Sequence, residues 1–203
     1  MKRFVCLGVW LCLSLPCFSQ IYRARDYTAP EEPARFTAPR WEISVGAAAF
    51  SEQMRDVTGQ RLVQGELGAE MRAFYAFADW AAAGLAGSVS GPLRKTELLD
   101  RYRTYRLEAL VKFTLTPRAS PRSYITAGMG WQQHDISCFH LWEKKFSVPF
   151  VSLGMGVETS FAENWFAGLE LRALYRLQSA RSAYFYVAHR WEAAVHLRTG
   201  WMF

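Results

Sequence analysis

The sequence predicts an all-β protein in which eight antiparallel strands close into an up-and-down barrel that spans a membrane. Apolar and polar side chains alternate in short stretches along the chain, and the clearest stretch, Trp191 to Phe203, ends the chain. Successive side chains of an extended strand point to opposite faces. Its odd positions therefore form an apolar face, whereas Glu192, His196 and Arg198 lie on the other face. A membrane barrel turns such an apolar face to lipid and the polar face to its lumen.

The N-terminal residues have the pattern of a secretory signal peptide. Two basic residues precede an apolar run from Phe4 to Leu15, which is too short to span a membrane as a helix. Cys17-Phe18-Ser19 has the small-x-small form of a cleavage site, so residues 1–19 are the predicted signal peptide. The alternative is a lipoprotein signal acylated at Cys17, but Pro16 stands where a small residue is usual.

Composition and charge exclude several other classes of protein. Removal of the signal lowers the net charge from +6 by the two charges of Lys2 and Arg3, and the remaining basic residues do not cluster as nucleic-acid binding requires. Cys138 is the only cysteine that remains, so an internal disulfide is excluded. No apolar window of about eighteen residues follows the signal, which excludes a helical membrane protein.

Residues 20–40 are polar, contain three prolines and predict a flexible periplasmic lead-in, and residues 41–203 form the predicted barrel. The third of its eight strands is mostly alanine and glycine and could also form a helix, but its glycines and its strand-type neighbours favour a strand. The other strands each have an apolar face, which includes Ile43, Met71, Val111, Met129, Leu153, Leu171 and Leu197 in chain order. The predicted strands are Trp41–Phe50, Leu67–Ala78, Trp80–Ser90, Tyr102–Leu115, Tyr124–Gln133, Val148–Phe161, Trp165–Arg176 and Trp191–Phe203.

The connections alternate between long and short, as an antiparallel barrel with both termini on one side requires. The short ones suit periplasmic turns and are Ala78-Asp79-Trp80, Thr116–Ser123 and Ala162-Glu163-Asn164. The longer or more polar ones are predicted extracellular loops: Ser51–Glu66, Gly91–Arg101, His134–Ser147 and Leu177–Tyr184. A soluble sandwich or a lipocalin-like barrel remains the rival fold if protein, rather than lipid, buries the apolar face.

Charged side chains dominate the predicted lumen. Eight strands enclose an interior that side chains can fill, and buried charges need partners, so we expect a network of ion pairs there. Its predicted members are Glu42, Glu70, Arg72, Arg106, Glu108, Lys112, Glu158, Glu170, Arg172, Arg190, Glu192 and Arg198. Neither His196, which is predicted to face the lumen, nor His189 has a serine or cysteine at nucleophile spacing. We therefore predict no catalytic residue, no enzyme activity and no cofactor.

Two features of the predicted loops are candidates for binding. His134, Asp135, Cys138 and His140 can each ligate a transition metal, but their spacing is only suggestive and no metal site is predicted from it. The aromatic and apolar side chains near the loops are candidates for contact with a host or cell-surface ligand, or alternatively members of the outer aromatic girdle. These are Phe139, Leu141, Trp142, Tyr184, Phe185 and Tyr186.

With the signal peptide, the eight alternating segments and the terminal Trp201-Met202-Phe203, the chain resembles the small OmpA, OmpX and OmpW-type outer-membrane barrels over about Trp41–Phe203. Ala127–Trp131 and Leu153–Glu158 resemble the paired central strands of such proteins. The resemblance implies an outer-membrane location in a Gram-negative-type envelope, contact with outer-membrane lipid, and recognition of the C-terminal strand by the barrel-assembly machinery.

The same resemblance implies a rigid scaffold without catalytic activity, which serves adhesion or partner contact through surface loops and supports envelope integrity. The alternative is a narrow, porin-like channel for small solutes of the OmpW kind. The charged inner face speaks against an apolar conduit. A lipid-modifying enzyme is a third class, for which the sequence nominates no side chain.

Overall fold

A computed structural model describes residues 40–97, 99–117, 119–138, 142–162, 164–178 and 185–203. The predicted signal peptide and nearly all of the predicted lead-in lie outside the described residues. Nine strands form one sheet: β1 Arg40–Asp56, β2 Arg61–Ala78, β3 Ala81–Lys95, β4 Leu99–Thr114, β5 Arg122–Cys138, β6 Trp142–Ser160, β7 Trp165–Arg176, β8 Phe185–Val187 and β9 Trp191–Met202. No helix in these ranges is long and apolar enough to cross a membrane.

The eight long strands close into an antiparallel barrel, as the sequence predicts. Each of β1 to β6 pairs with the next strand along the chain, and β9 pairs with β7 on one side and with β1 on the other. The closing pair of strands runs in register from Glu42 opposite Met202 to Phe50 opposite Ala194. Closure leaves no long strand with an unpaired edge, which is what hydrocarbon requires of a sheet. The short β8 pairs with the far end of β1.

The barrel has an apolar outside and a charged inside. Leu107 and Leu197 are 61% and 62% exposed on the outer wall, whereas Arg106 and Arg198, their chain neighbours, are 6% and 4% exposed. Among the described residues no second layer covers the outward leucines, so the soluble sandwich is excluded. Large apolar side chains outside and charges inside are the arrangement of a barrel that faces lipid.

Aromatic side chains mark the two ends of the lipid-facing band. At the inner end, where the short turns and the C-terminus lie, Trp165 stacks on Trp201 with their ring centroids 5.4 Å apart. At the outer end, Tyr175 packs against Trp191 at 4.7 Å, and Trp131 is 64% exposed on the same wall. Such girdles lie at the two membrane interfaces of barrels of this kind.

The strands extend further beyond the outer girdle than the sequence predicts. The expected loop Ser51–Glu66 is mostly a continuation of β1 and β2, and β5 and β6 likewise pair as far as Cys138 opposite Trp142. A register shift between Phe50 and Gln53 interrupts the β1–β2 ladder without ending it. The prediction of a long loop is wrong here because the outward positions beyond Phe50, such as Ser51 and Gln53, are polar, so the apolar alternation fades before the strands end.

A four-residue turn joins the extended ends of β1 and β2. The Thr58 hydroxyl and the Gln60 N–H donate to the Asp56 carboxylate at 2.7 and 2.8 Å. The hydrogen bond from Thr58 lowers the pKa of this exposed carboxyl. Gly59 has a φ of 88°, a conformation that side-chain-bearing residues rarely adopt. These residues therefore form the tip of a hairpin between β1 and β2.

Candidate functional site: the charged lumen

The structure places eleven of the twelve predicted lumen residues inside the barrel, all of them buried. The expectation for Arg190 is wrong: it is exposed, it lies just before β9 begins at Trp191, and its guanidinium contacts the Tyr175 hydroxyl at 3.4 Å. Arg176, at the end of β7, supplies a buried cation near the outer end of the lumen instead. The buried groups form three clusters along the barrel axis.

The inner cluster consists of Glu42, Lys112, Glu158 and Arg198. The Lys112 ammonium lies 2.8 Å from Glu42 and 2.7 Å from Glu158, and the Arg198 guanidinium contacts the same two carboxylates at 2.8 and 3.1 Å. Each cation therefore bridges both acids in a closed ring. Arg122, at the edge of the cluster, approaches Glu158 at 3.4 Å. Two acids against two fully buried cations leave this ring balanced, as buried charges require.

The middle cluster contains three carboxylates and two guanidinium groups: Glu70, Glu108, Glu170, Arg72 and Arg172. Arg172 contacts Glu108 and Glu170, both at 2.7 Å, while Arg72 pairs with Glu70 and Glu170. Glu170 therefore joins the two arginines. The neighbouring polar contacts are donated by Thr126 and Tyr124 to Glu170 and by Ser152 to Glu108, and His196 Nδ1 lies 3.0 Å from Glu70.

Two glycines on β6 make room for this packing. A Cβ at Gly154 would lie 2.6 Å from Glu170 Oε1, and one at Gly156 would lie 2.4 Å from the Tyr124 hydroxyl. Both distances are far shorter than a Cβ tolerates, so the close approach of the Glu170 and Tyr124 side chains requires glycine. The small residues on one wall thus accept long side chains from its neighbours.

The outer cluster contains Glu52, Glu66, Arg106, Arg176 and Glu192. Arg106 contacts Glu66 and Glu192, both at 2.9 Å, and Glu52 at 3.3 Å. Arg176 contacts Glu52 at 2.7 Å and Glu192 at 2.6 Å. Five further polar side chains complete the cluster through hydrogen bonds: Ser90, Tyr102, Thr104, Gln132 and His134.

Sequence reasoning missed Glu52, Glu66 and Arg176. The sequence predicts Glu52 and Glu66 in an extracellular loop, and it does not predict Arg176 in the lumen although Arg176 lies four residues after Arg172 on the same strand. The signal that could have found them is the continued two-residue alternation, with Glu52 and Met54 buried beyond Phe50. The bulge in β1 does not move these side chains out of the lumen.

Apolar side chains separate the three clusters. Phe50 lies between the middle and outer clusters, where its ring is 3.8 Å from the Arg106 guanidinium and 5.6 Å from His196, and it packs in a buried group with Phe150 and Leu174. Between the middle and inner clusters, the Tyr124 hydroxyl donates to Glu170 at 3.1 Å while its ring lies 5.0 Å from the Lys112 ammonium. Both ionic and apolar contacts thus cross the axis.

The space left inside the barrel is small. A cavity of about 10 Å³ lies between the middle and outer clusters, and one of about 20 Å³ lies at the inner end beside Lys112 and Arg122. The two cavities share no lining residue. A cavity needs roughly 10–15 Å³ to hold a single water molecule. Together with the burial of the lumen side chains, these volumes favour a described lumen that side chains fill.

The structure describes only part of the candidate loop residues. Phe139, Leu141, Tyr184 and His140 lie outside the described residues, and only the backbone of Trp142 and Phe185 is described, in β6 and β8. Tyr186 is half-buried in β8, opposite Arg55. The potential metal ligands of this region diverge, because His134 faces the lumen whereas its strand neighbour Asp135 points to the opposite face, where it lies 3.7 Å from Arg101.

Comparison with known proteins shows the fold. No protein-family model matches the sequence, and no curated protein matches it significantly. Neisserial surface protein A (NspA) superposes with a TM-score of 0.63 at 10% identity, over 79% of this chain and 96% of that chain. OprG from Pseudomonas aeruginosa superposes with a TM-score of 0.52 at 12% identity, over 82% of this chain and 96% of that chain.

A third solved structure is Ail, the attachment invasion locus protein of Yersinia pestis, in complex with the heparin analogue sucrose octasulfate. It superposes with a TM-score of 0.51 at 16% identity, over 82% of this chain and 100% of that chain. The protein has the fold of the small eight-stranded outer-membrane barrels. The predicted fold and type of barrel are confirmed, and the apolar outer wall with its two aromatic girdles agrees with the predicted outer-membrane location.

Proposed function

We propose that the protein is a scaffold without catalytic activity in the outer membrane, whose closed barrel presents its outer rim and surface loops to partners and contributes to the integrity of the envelope. The observation that carries this proposal is the filled lumen, in which three ion-pair clusters alternate with apolar side chains. A barrel filled in this way favours a rigid platform over a conduit, so its outer end is the surface that can meet other molecules.

The polar side chains of the lumen form hydrogen bonds and ion pairs with each other, and these contacts favour a structural role over a catalytic one. The buried serines Ser90 and Ser152 donate to Glu66 and Glu108, and neither contacts a histidine among the described residues. Every carboxylate of the three clusters contacts at least one lysine or arginine. Structural networks of ion pairs commonly have this form.

The outer end of the barrel carries an excess of positive charge. We define the cationic outer rim as the basic side chains that are at least partly exposed there: Arg55, Arg61, Arg94, Lys95, Arg101, Arg103, Lys144, Lys145 and Arg190. Apart from the carboxylates of the outer cluster, the described acidic side chains at the same end are Asp56, Glu97, Asp100 and Asp135. Because fixed charges of one sign raise the local concentration of counter-charged ligands, this rim favours an anionic partner, and we propose an anionic glycan at the cell surface.

A binding measurement with the purified protein in detergent tests this partner. Heparin and sucrose octasulfate are suitable probes because both are polyanionic, and Ail is solved with the second one. We expect binding that weakens as salt rises, and that weakens further in the variant Arg94→Gln/Arg103→Gln. Arg40→Gln is the control, because it removes a positive charge at the inner end of β1. Equal losses in both variants, or no binding by the native protein, would contradict the proposed partner.

A flux measurement tests closure. We expect proteoliposomes that contain the folded barrel to retain small ions and sugars as well as protein-free liposomes do. Steady conductance through planar bilayers, abolished when the protein is omitted, would favour the narrow channel over the scaffold. Folding is checked in the same samples by the shift in gel mobility on heating.

A further inference from the structure

The hydroxyl of Tyr102 is the centre of a compact group at the outer end of the lumen. It lies 2.8 Å from Glu52 Oε1, 2.8 Å from Glu66 Oε1 and 3.0 Å from His134 Nδ1. All four side chains are buried, with at most 3% of any residue exposed. They come from four strands, β1, β2, β4 and β5, and lie outside the outer girdle or at its level. This group is distinct from the ion-pair contacts that fill the rest of the lumen.

Too few protons are available to satisfy the contacts of this hydroxyl. A phenol has one proton and donates to one acceptor. His134 can supply a second proton if it carries one on Nδ1 and donates it to the phenol oxygen. The phenol proton still serves only one of the two carboxylates, so the other carboxylate oxygen contacts the phenol oxygen with no proton between the two atoms. Thr104 donates to Glu66 at 2.8 Å, but this bond does not relieve the contact between Glu66 and Tyr102. Two buried oxygens without a shared proton repel each other unless a cation joins them.

The charges of the outer cluster show the same deficit. Three carboxylates, those of Glu52, Glu66 and Glu192, face the two guanidinium groups of Arg106 and Arg176, and no other lysine or arginine contacts them among the described residues. One buried negative charge is left over. The inner cluster pairs two carboxylates with two cations, whereas the middle cluster has the same three-to-two ratio as the outer one and has His196 Nδ1 3.0 Å from Glu70. An excess buried charge is costly unless a proton or a cation neutralises it.

The distances within the group fit a tetrahedral metal ion. Ligand atoms about 2.0 Å from a tetrahedral zinc lie about 3.3 Å from one another. His134 Nδ1 and Glu52 Oε1 are 3.3 Å apart, and the Tyr102 oxygen is 2.8 to 3.0 Å from the three other atoms. Glu52, Glu66 and His134 are the one set of three potential metal ligands within 4.8 Å of one another in the described parts of the chain. His134 Nε2 has no partner there, so its ring makes polar contacts only toward this group.

We propose that Glu52, Glu66 and His134, with Tyr102 as the fourth ligand, bind one divalent transition-metal ion such as zinc at the outer end of the lumen. Binding displaces the phenol proton to solvent, and the ion then offsets both the excess carboxylate charge and the phenolate. The ion joins β1, β2, β4 and β5 where lipid no longer supports the barrel wall. Met54, Leu99 and Ile136 are buried nearby in an apolar cluster with Tyr102, so the ion enters as the barrel folds.

Metal content after refolding tests the proposal. The mature chain is refolded in detergent with zinc and then freed of loosely bound metal, and bound zinc is measured by mass spectrometry. We expect about one zinc per folded chain, and less than a tenth of that in Glu66→Gln and in His134→Gln. His196→Gln and Glu108→Gln are matched controls, because they change a buried histidine and a buried glutamate of the middle cluster. Both controls should retain the zinc of the native protein.

Two further measurements cover variants that do not fold. Tyr102→Phe preserves the shape of the side chain, and we expect it to bind zinc more than about tenfold more weakly while the barrel still forms. Cobalt in place of zinc should give the intense visible absorption of a four-coordinate site. A folded native barrel without zinc would overturn the proposal and assign the missing charge to a proton. Full zinc content in folded His134→Gln would also overturn it, because the metal would then lie elsewhere.

Discussion

The inner and outer clusters of the lumen differ in how completely their buried charges are paired. In the inner cluster, Lys112 and Arg198 each bridge Glu42 and Glu158, so two cations balance two acids in a closed ring. In the outer cluster, two arginines face three acids. The inner ring lies within the band that lipid surrounds. So does the middle cluster, in which two guanidinium groups likewise face three carboxylates and His196 Nδ1 lies 3.0 Å from Glu70. The outer cluster lies at the edge of that band, where a proton or a metal ion can reach it during folding.

The comparison predicts its largest effect for the removal of a bridging cation from the inner ring. Lys112→Met leaves Glu42 paired with Arg198 alone and Glu158 with Arg198 and the more exposed Arg122, and we expect a loss of about 3–5 kcal/mol in the free energy of unfolding. Urea unfolding in lipid vesicles, followed by tryptophan fluorescence, measures it. Lys145→Met, which removes an exposed lysine, should change the free energy by no more than about 0.5 kcal/mol. Equal effects in the two variants would show that the ring does not bear on stability.

The same change of glutamate to glutamine should have different effects at the two ends. Glu42→Gln breaks a balanced ring and should cost about 1.5–3 kcal/mol of the free energy of unfolding. Glu66→Gln removes the excess negative charge, so in metal-free protein we expect a change within about 1 kcal/mol, in the stabilising direction. Metal-free unfolding curves in urea compare the two variants directly. A greater loss in Glu66→Gln than in Glu42→Gln would contradict the difference in charge balance.

A smaller effect is expected from the packing beside the middle cluster. Gly156→Ala forces a methyl group against the Tyr124 hydroxyl and the Leu169 carbonyl, which should cost about 1–3 kcal/mol of the free energy of unfolding. Gly87→Ala is the control, because a Cβ there meets no atom within 4 Å. The midpoint of thermal unfolding in detergent measures both. An unchanged midpoint in Gly156→Ala would mean that Tyr124 can move without loss of its contact with Glu170.

The two regions also differ in how far the sequence predicts them. Within the lipid band, alternation predicts which side chains face inward, and β7 has the predicted bounds Trp165–Arg176 because turns limit it at both ends. Beyond the band, outward side chains need not be apolar, so the alternation of apolar and polar residues weakens. The sequence therefore predicts Glu52 and Glu66 in a loop. The prediction for Arg190 is wrong because the alternation in the sequence already includes Arg190, whereas β9 begins one residue later, at Trp191.

Alternation does not predict which charged side chains of the lumen form ion pairs with each other. Arg172 contacts Glu108, which is 64 residues away in sequence and on a strand that is not its neighbour in the sheet. Such contacts depend on the tilt and stagger of strands around the closed barrel, which fix the height of each side chain along the axis. The sequence therefore predicts the composition of the lumen, whereas the division into a balanced and an unbalanced cluster requires the structure.

Accessibility of single cysteines tests the central claim, that apolar side chains meet lipid while the lumen is filled. In a Cys138→Ser background, Leu107→Cys places a thiol on the outer wall and Ala86→Cys places one in the lumen beside the small cavity. In proteoliposomes we expect a lipid-soluble maleimide to label only Leu107→Cys, and a small charged thiol reagent in the water to label neither. Rapid labelling of Ala86→Cys by the charged reagent would contradict a closed lumen.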